Sequence, residues 1–254
     1  MAHSSSVLTT VDKADIERHS KLSDWWSKKG SLRGLHTFND LRIPYIVNNV
    51  VLTDEKRNSS KPLENKKILD VGCGGGIVSE ALAKLGAQVT GVDASSTLIE
   101  MAKKHSASNA DLQYNQPTYQ CTSIEEHAQT FVNYYDAVVA SEIVDHVANV
   151  DLFLDSCVQT LKPGGKIFIT TPNKTQLSRF FGIFVAENIL KLIPKGLHKY
   201  EKFKSPKEVT EILHKYNCEV NEVYGLLFNP ITENWWWSYF QFLWYALVAT
   251  KLST

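Results

Sequence analysis

The run Ser141-Glu142-Ile143-Val144-Asp145-His146 sets two carboxylates and an imidazole at i, i+3 and i+4. At the start of a helix that spacing turns all three side chains to one face. Two oxygen donors and one nitrogen donor suit a divalent ion left partly open to solvent and substrate. Glu142, Asp145 and His146 are therefore metal-ligating and catalytic candidates. The same residues also fit a helix N-terminus that favours acids and happens to include a histidine. Spacing alone leaves both readings open.

A second constellation lies upstream. The apolar run Ile68-Leu69 ends in Asp70 and passes into Gly72, Gly74 and Gly76 before an apolar helix. Glycines there allow a left-handed turn and close backbone approach to a ligand. The dinucleotide fingerprint fails, because Ile77 stands where a glycine or alanine is needed. Asp70 would repel a pyrophosphate but attract a cationic sulfonium. The next strand ends in Asp93, about twenty residues on, where an acidic side chain grips ribose hydroxyls. Asp70, Gly72, Gly74 and Asp93 thus describe an S-adenosylmethionine pocket, with a ligand-free flavodoxin-like turn as the alternative. A metal beside it would have a task. Methyl transfer from a sulfonium needs an oxygen nucleophile in line, and a neutral phenol, with a pKa of about 10, is a poor one. Chelating two catechol oxygens would lower that pKa and fix the attack angle together.

The elements that position these residues alternate. Strands are expected at 66–72, 87–93, 112–114, 135–141 and 166–171, and helices at 77–86, 96–106 and 150–161. Such alternation calls for a parallel sheet. The stretch 123–128 reads as a strand-end loop open to adenine contacts. Two helices, 15–29 and 35–51, precede a polar linker, and the second carries Arg42. That arginine is either a surface charge or a planar fork for the cofactor carboxylate. Past Thr171 the alternation breaks. Phe181, Phe184 and Ile189 share a helical face ringed by lysines, which suits a lid or a membrane-interface helix. A helix at 205–215 and closing strands at 218–228 and 236–250 complete the chain. The division expected is a helical cap over 1–54 and a catalytic domain over 55–254, with an inserted lid at 174–204.

The 254 residues suit one decorated α/β domain. Zero formal net charge gives no bulk attraction to nucleic acid, so no such partner is expected. Four scattered cysteines without a C-x-x-C pair suggest neither zinc nor disulfides, and fit a reducing compartment. Met1–Val11 has neither a secretory pattern nor the arginines of a transit peptide.

Taken with Trp25-Trp26, the L-H-x-x-N-x-x-R run ending at Arg42, V-T-G-V-D-A-S, S-E-I-V-D-H-V and P-K-G-x-H-x-Y-x-K-F ending at Phe203, the glycine-turn sequence resembles the ubiquinone-biosynthesis O-methyltransferase family. The resemblance implies a Rossmann-like α/β fold of seven strands with the last antiparallel. It implies cofactor contacts at Arg42, Gly72, Asp93 and Ser141, and a divalent metal, Mg2+ foremost, on Glu142, Asp145 and His146. The family usually has glutamate at the position of Asp145, and often methionine or cysteine at that of Ser141. The implied substrate is a polyprenylated catechol. The implied setting is peripheral: the matrix face of the mitochondrial inner membrane, or the cytoplasmic face in a bacterium, beside other ubiquinone-biosynthesis proteins. A metal-independent small-molecule methyltransferase and a non-catalytic subunit of this fold are the rival readings.

Overall fold

The computed structural model describes residues 9–22, 24–27, 30, 32–180 and 199–253. Phe181, Phe184 and Ile189, and with them most of the expected lid, lie outside the described residues.

The architecture is a mixed sheet with helices on both faces. The parallel part comprises β1 (Lys67–Val71), β2 (Gln88–Asp93), β3 (Thr118–Cys121), β4 (Tyr135–Ser141) and β5 (Leu161–Pro172). Three more strands close it: β6 (Cys218–Phe228), β7 (Trp235–Ser238) and β8 (Trp244–Lys251). The order is β3-β2-β1-β4-β5-β8-β6-β7, with β8 antiparallel to β5 and β6, and β7 antiparallel to β6. The expected fold class holds with one strand more than the seven foreseen. The run read as a single strand at 236–250 is two, β7 and β8, parted by a turn. Gly225 of β6 marks the spot, since a Cβ there would lie 2.0 Å from the carbonyl oxygen of Phe240.

The strands are apolar on both faces because both are covered. One face carries α2 (Arg33–Val50) and α4 (Ile77–Lys84), where Ile43, Ile46, Val47 and Leu82 pack with Ile68, Val139 and Phe168. The other carries α7 (Val150–Thr160) and α8 (Pro206–Lys215), with Phe153, Leu154 and Leu213 against Leu69, Val138 and Leu247. Strand order reverses between β1 and β4, and ligands of open α/β sheets bind in the crevice beyond the strand ends at such a point.

Some expected boundaries move. The first helix, α1, spans Lys13–Ser20 and stops well before the tryptophan pair. Between α5 (Ser96–Ser108) and β3 there is no strand at 112–114; Leu112 closes a short 3-10 turn instead, fully buried. The stretch read as an adenine-facing loop is α6 (Ile124–Thr130), opened by a capping box between Ser123 and Glu126. In order of chain position the remaining helix is α3 (Asp54–Arg57). No helix among the described residues is long and apolar enough to cross a membrane.

Candidate active site

At the switch point β1 ends in Asp70, which is 2% exposed and accepts a hydrogen bond of 2.6 Å from Ser79 Oγ of α4. Burial pushes its carboxyl up to about 6, against the Ser79 bond and the Arg42 charge. The chain then turns through Gly72 and Gly74, both left-handed, with φ of 70° and 52°. A Cβ on Gly74 would lie 2.2 Å from the ring of Trp25, and one on Gly72 would lie 2.6 Å from Ile143. Glycine is required at both for conformation and for room. The turn is pinned to β2, since the Gly72 N–H donates to the Val92 carbonyl at 2.8 Å. Asp93 completes the clamp: its Oδ2 accepts from the Gly74 N–H at 3.0 Å and its Oδ1 from the Ser95 N–H at 2.8 Å. Burial raises the Asp93 carboxyl above its ordinary range, partly offset by these two backbone bonds. The tryptophan pair caps the turn. Trp26 Nε1 donates to the Gly75 carbonyl at 2.9 Å and its ring stacks on His105, centroids 3.5 Å apart.

Arg42 reaches in from α2 and is 3% exposed. It donates to Asn39 Oδ1 at 2.8 Å, Ser141 Oγ at 2.7 Å and the Leu35 carbonyl at 3.0 Å. Burial lowers its pKa to about 10, while the Glu142 and Asp70 carboxylates hold it up. It is a buried charge that ties α2 to the end of β4 and acts on Asp70 through its charge, so the surface-charge reading of Arg42 falls.

Beyond Ser141 the backbone does not enter a helix. Glu142 takes a left-handed φ of 56° and its N–H donates to the Thr170 carbonyl at 2.8 Å. A tight turn follows in which the His146 N–H donates to the Ile143 carbonyl at 2.9 Å. Helical i, i+3, i+4 convergence is therefore lost. Asp145 is buried at 1% exposure, accepts from Thr171 Oγ1 at 3.3 Å, and sets its Oδ2 3.5 Å from His146 Nε2. The opposite ring nitrogen, His146 Nδ1, lies 3.9 Å from Asp15 Oδ1 of α1. His19, one helical turn on from Asp15, sets its ring edge-on to His146 with centroids 4.5 Å apart. Among the described residues, the group whose ligand atoms all lie within 4.8 Å of one another is Asp15, His19 and His146. Glu142 and Asp145 stand outside it.

Lys202 ties this corner together. Its Nζ lies 2.6 Å from Asp12 Oδ2 and 2.5 Å from Asp15 Oδ2, and donates to the His146 carbonyl at 3.3 Å. Arg18 pairs with Asp15 as well. Burial works to raise the Asp15 carboxyl, but hydrogen bonds from His146, Lys202 and Arg18 outweigh it and hold the group far below the carboxylate range. Spacing gave no signal for Asp15, His19 or Lys202 as site residues, although Lys202 belongs to the run that ends at Phe203.

A cavity of about 130 Å³ joins the two ends. Gly72, Gly74 and Asp93 line one end of it, and Glu142, His146, Asp15 and His19 line the other. Arg42, Asp70 and Ser141 are not in the wall; they form a buried polar layer behind it. The cradle fits an S-adenosylmethionine on the chain's own evidence: two glycines that tolerate no Cβ, an acid at the end of β2, and a second acid beneath the turn.

Comparison with known proteins gives the same class. A methyltransferase-domain family model matches residues 69–169. The magnesium protoporphyrin IX methyltransferase of Synechocystis, solved with bound SAM, superposes with a TM-score of 0.61 at 16% identity, covering 95% of this chain and 98% of that one. The PH0226 protein of Pyrococcus horikoshii gives 0.63 at 16% identity, covering 92% and 98%. Fold and glycine turn together define a Rossmann-like methyltransferase of the S-adenosylmethionine-dependent class.

Within that class the relatives are specific. The mitochondrial ubiquinone biosynthesis O-methyltransferase of Mus musculus is 43% identical over 96% of this chain, which spans 66% of that protein's length. The ubiquinone biosynthesis O-methyltransferase of Rhizobium leguminosarum is 37% identical, covering 89% of both chains. The chain belongs to the ubiquinone biosynthesis O-methyltransferase family and has the fold of S-adenosylmethionine-dependent methyltransferases.

Proposed function

We propose that this protein transfers a methyl group from S-adenosylmethionine to one hydroxyl of a polyprenylated catechol in ubiquinone biosynthesis. The observation that carries the reading is the single cavity with a glycine cradle at one end and His146 at the other. The donor supplies an electrophilic methyl on a sulfonium. Gly72 and Gly74 admit it to the backbone, Asp93 offers a carboxylate edge to its ribose, and the buried Asp70 places negative charge beneath the cation. The Arg42 charge offsets part of the negative charge of Asp70 behind the cavity and of Glu142 in its wall. In the transfer the carbon–sulfur bond breaks as the oxygen–methyl bond forms, and the phenolic proton leaves toward His146. A divalent ion at His146, when bound, would acidify the catechol and orient it.

A prenyl tail needs an apolar exit. Leu177, Phe180, Phe240 and Phe242 are exposed, and Thr175 Oγ1 donates to the Phe242 carbonyl, so the two segments meet. Lys174 and Arg179 flank them, which supports peripheral contact with a membrane surface. That surface would be the matrix face of the mitochondrial inner membrane, or the cytoplasmic face in a bacterium; relatives named as mitochondrial and relatives from bacteria are compatible with either setting.

The test is methylation by the purified chain of a short-tailed catechol and of the matching monophenol. A monomethylated catechol as product, with the monophenol inert, is expected. Chelator should stop the reaction without weakening donor binding. Full turnover in chelator would leave His146 as a base acting alone, and donor binding with no product from any catechol would defeat the enzymatic reading.

A further inference from the structure

Trp25, the first of the tryptophan pair, is 9% exposed and lines the cavity. Its side chain fills the space that a Cβ on Gly74 or on Gly75 would need, so the indole lies along the glycine turn. We propose that Trp25 is a donor-binding residue: its ring walls the aminocarboxypropyl arm of S-adenosylmethionine, and its Nε1–H donates to the carboxylate of that arm. The inference rests on the reading of the glycine cradle as the donor site, and extends that site to the segment before α2.

Three features support this role. The first is the connectivity of the donor, whose sulfonium carries three carbon substituents. The methyl must face the acceptor end with His146, and the ribose must face Asp93. The remaining substituent, the aminocarboxypropyl arm, is left the wall formed by Gly72, Gly74 and Trp25. The second is an unmet hydrogen bond. Trp25 Nε1 is buried and has no hydrogen-bond partner among the described residues. An indole N–H can only donate, and a buried donor left unmade costs free energy. The carboxylate that ends the arm can only accept, and is the chemistry that satisfies it. Arg42, in the layer behind the wall, already donates to Asn39, Ser141 and Leu35, so a donor from the cavity side adds to what it offers. The third is the way the ring is held. His36 Nε2 donates to the Trp25 carbonyl at 2.6 Å, and the ring packs with Leu32, Ile77 and Leu98. Trp26 pins the same segment to the Gly75 carbonyl and to the His105 ring. All of these contacts leave the Trp25 N–H unspent.

The consequence reaches the chemistry. Holding the arm at its carboxylate end limits how the sulfonium can turn, which keeps its methyl on the acceptor side. A wall fixed before the donor arrives also spares the cost of ordering it on binding. Trp25 therefore reads the arm, whereas Asp93 reads the nucleoside.

The experiment is titration calorimetry of the full chain and two variants with three ligands. These are S-adenosylmethionine, its decarboxylated form, which keeps the sulfonium, and methylthioadenosine, which lacks the arm. Trp25→Phe keeps an aromatic wall and deletes the N–H. It should weaken S-adenosylmethionine by at least about tenfold, the scale of one hydrogen bond to a charged group, and leave the other two nearly as they were. Trp25→Ala should weaken both arm-bearing ligands and move methylthioadenosine little. In the native chain the Trp25 indole N–H resonance, assigned by its loss in Trp25→Phe, should move downfield with S-adenosylmethionine and hold still with the decarboxylated form. Circular dichroism confirms the fold of each variant, and Trp25→Phe with the resonance carries the test if Trp25→Ala is unstable. An equal loss for all three ligands makes Trp25 a structural support and overturns the inference, as does full S-adenosylmethionine affinity in Trp25→Phe. A native chain that binds none of the three overturns the donor-site reading with it.

Discussion

The two ends of the cavity are built in different ways. The donor end comes from one contiguous stretch, 67–93: a strand, a glycine turn, a helix and the next strand. Apart from the Ser79–Asp70 side-chain bond and the Trp26 bond to the Gly75 carbonyl, the hydrogen bonds that hold its turn have a backbone N–H as donor, from Gly72 to Val92 and from Gly74 and Ser95 to Asp93. The acceptor end is assembled from α1, the turn after β4, Thr171 of β5 and Lys202, and its contacts run between side chains. One end is therefore as rigid as the sheet. The other is an ionic latch that holds only while distant segments stay docked.

The comparison breaks most sharply at Gly74. Gly74→Val places branched carbons where even a Cβ would meet the Trp25 ring at 2.2 Å, at a φ of 52°. Donor affinity should fall below detection by titration calorimetry, while the β1–β4 core keeps its circular dichroism. Retained affinity would mean that the turn is not the wall of the pocket. Next in size is Asp70. Its folded pKa of about 6 lies above the unfolded value of 3.8, so between those values the native state binds the extra proton. Stability contributed by this group therefore falls as pH rises from about 4 to 6, by about 3 kcal/mol, and is level above that. Urea unfolding against pH should show the fall in the native chain and its loss in Asp70→Asn. A bound sulfonium opposes the proton, so donor affinity should also weaken as pH drops below 6.

How much was legible follows the same division. Asp70, Gly72, Gly74 and Asp93 could be read because strand, turn and helix signals sit within a few residues of one another. Arg42 acquired its role through packing, since nothing local tells a buried guanidinium from a surface one. The convergence expected of Glu142, Asp145 and His146 assumed helical geometry, and the left-handed Glu142 removed it. Asp15 and His19 lie more than a hundred residues from His146, beyond the reach of any spacing argument. The helix at Ile124–Thr130 was within reach, because Ser123 and Glu126 spell a capping box. The aromatic run that splits into β7 and β8 carries no glycine or proline at its turn, and the marker is Gly225 on the neighbouring strand.

Asp93→Ala sharpens the donor side. It removes a carboxylate that holds two backbone N–H groups and lines the cavity. A loss of about 1.5–3 kcal/mol in donor binding is expected, the range for hydrogen bonds to a charged group. Calorimetry with S-adenosylmethionine checks it, and unchanged affinity in a folded variant would free Asp93 of the role.

The smallest effect belongs to the latch, and it tests whether the two ends are separable. Lys202 is partly buried and pairs with Asp12 and with Asp15, the latter nearly closed to solvent. Lys202→Met keeps the apolar stem and deletes the charge. The cost should be about 1–2 kcal/mol, between that of an exposed pair and that of a broken buried one, because Arg18 stays on Asp15. Thermal unfolding measures that loss. Hydrogen exchange should then quicken over α1, which loses its tie to the 199–203 segment, and remain unchanged over β1 and α4. Donor affinity should shift little, since neither the glycine turn nor Asp93 touches Lys202. A large drop in donor affinity, with exchange quickened across β1 as well, would show that the latch supports the donor cradle and that the two ends form one cooperative unit.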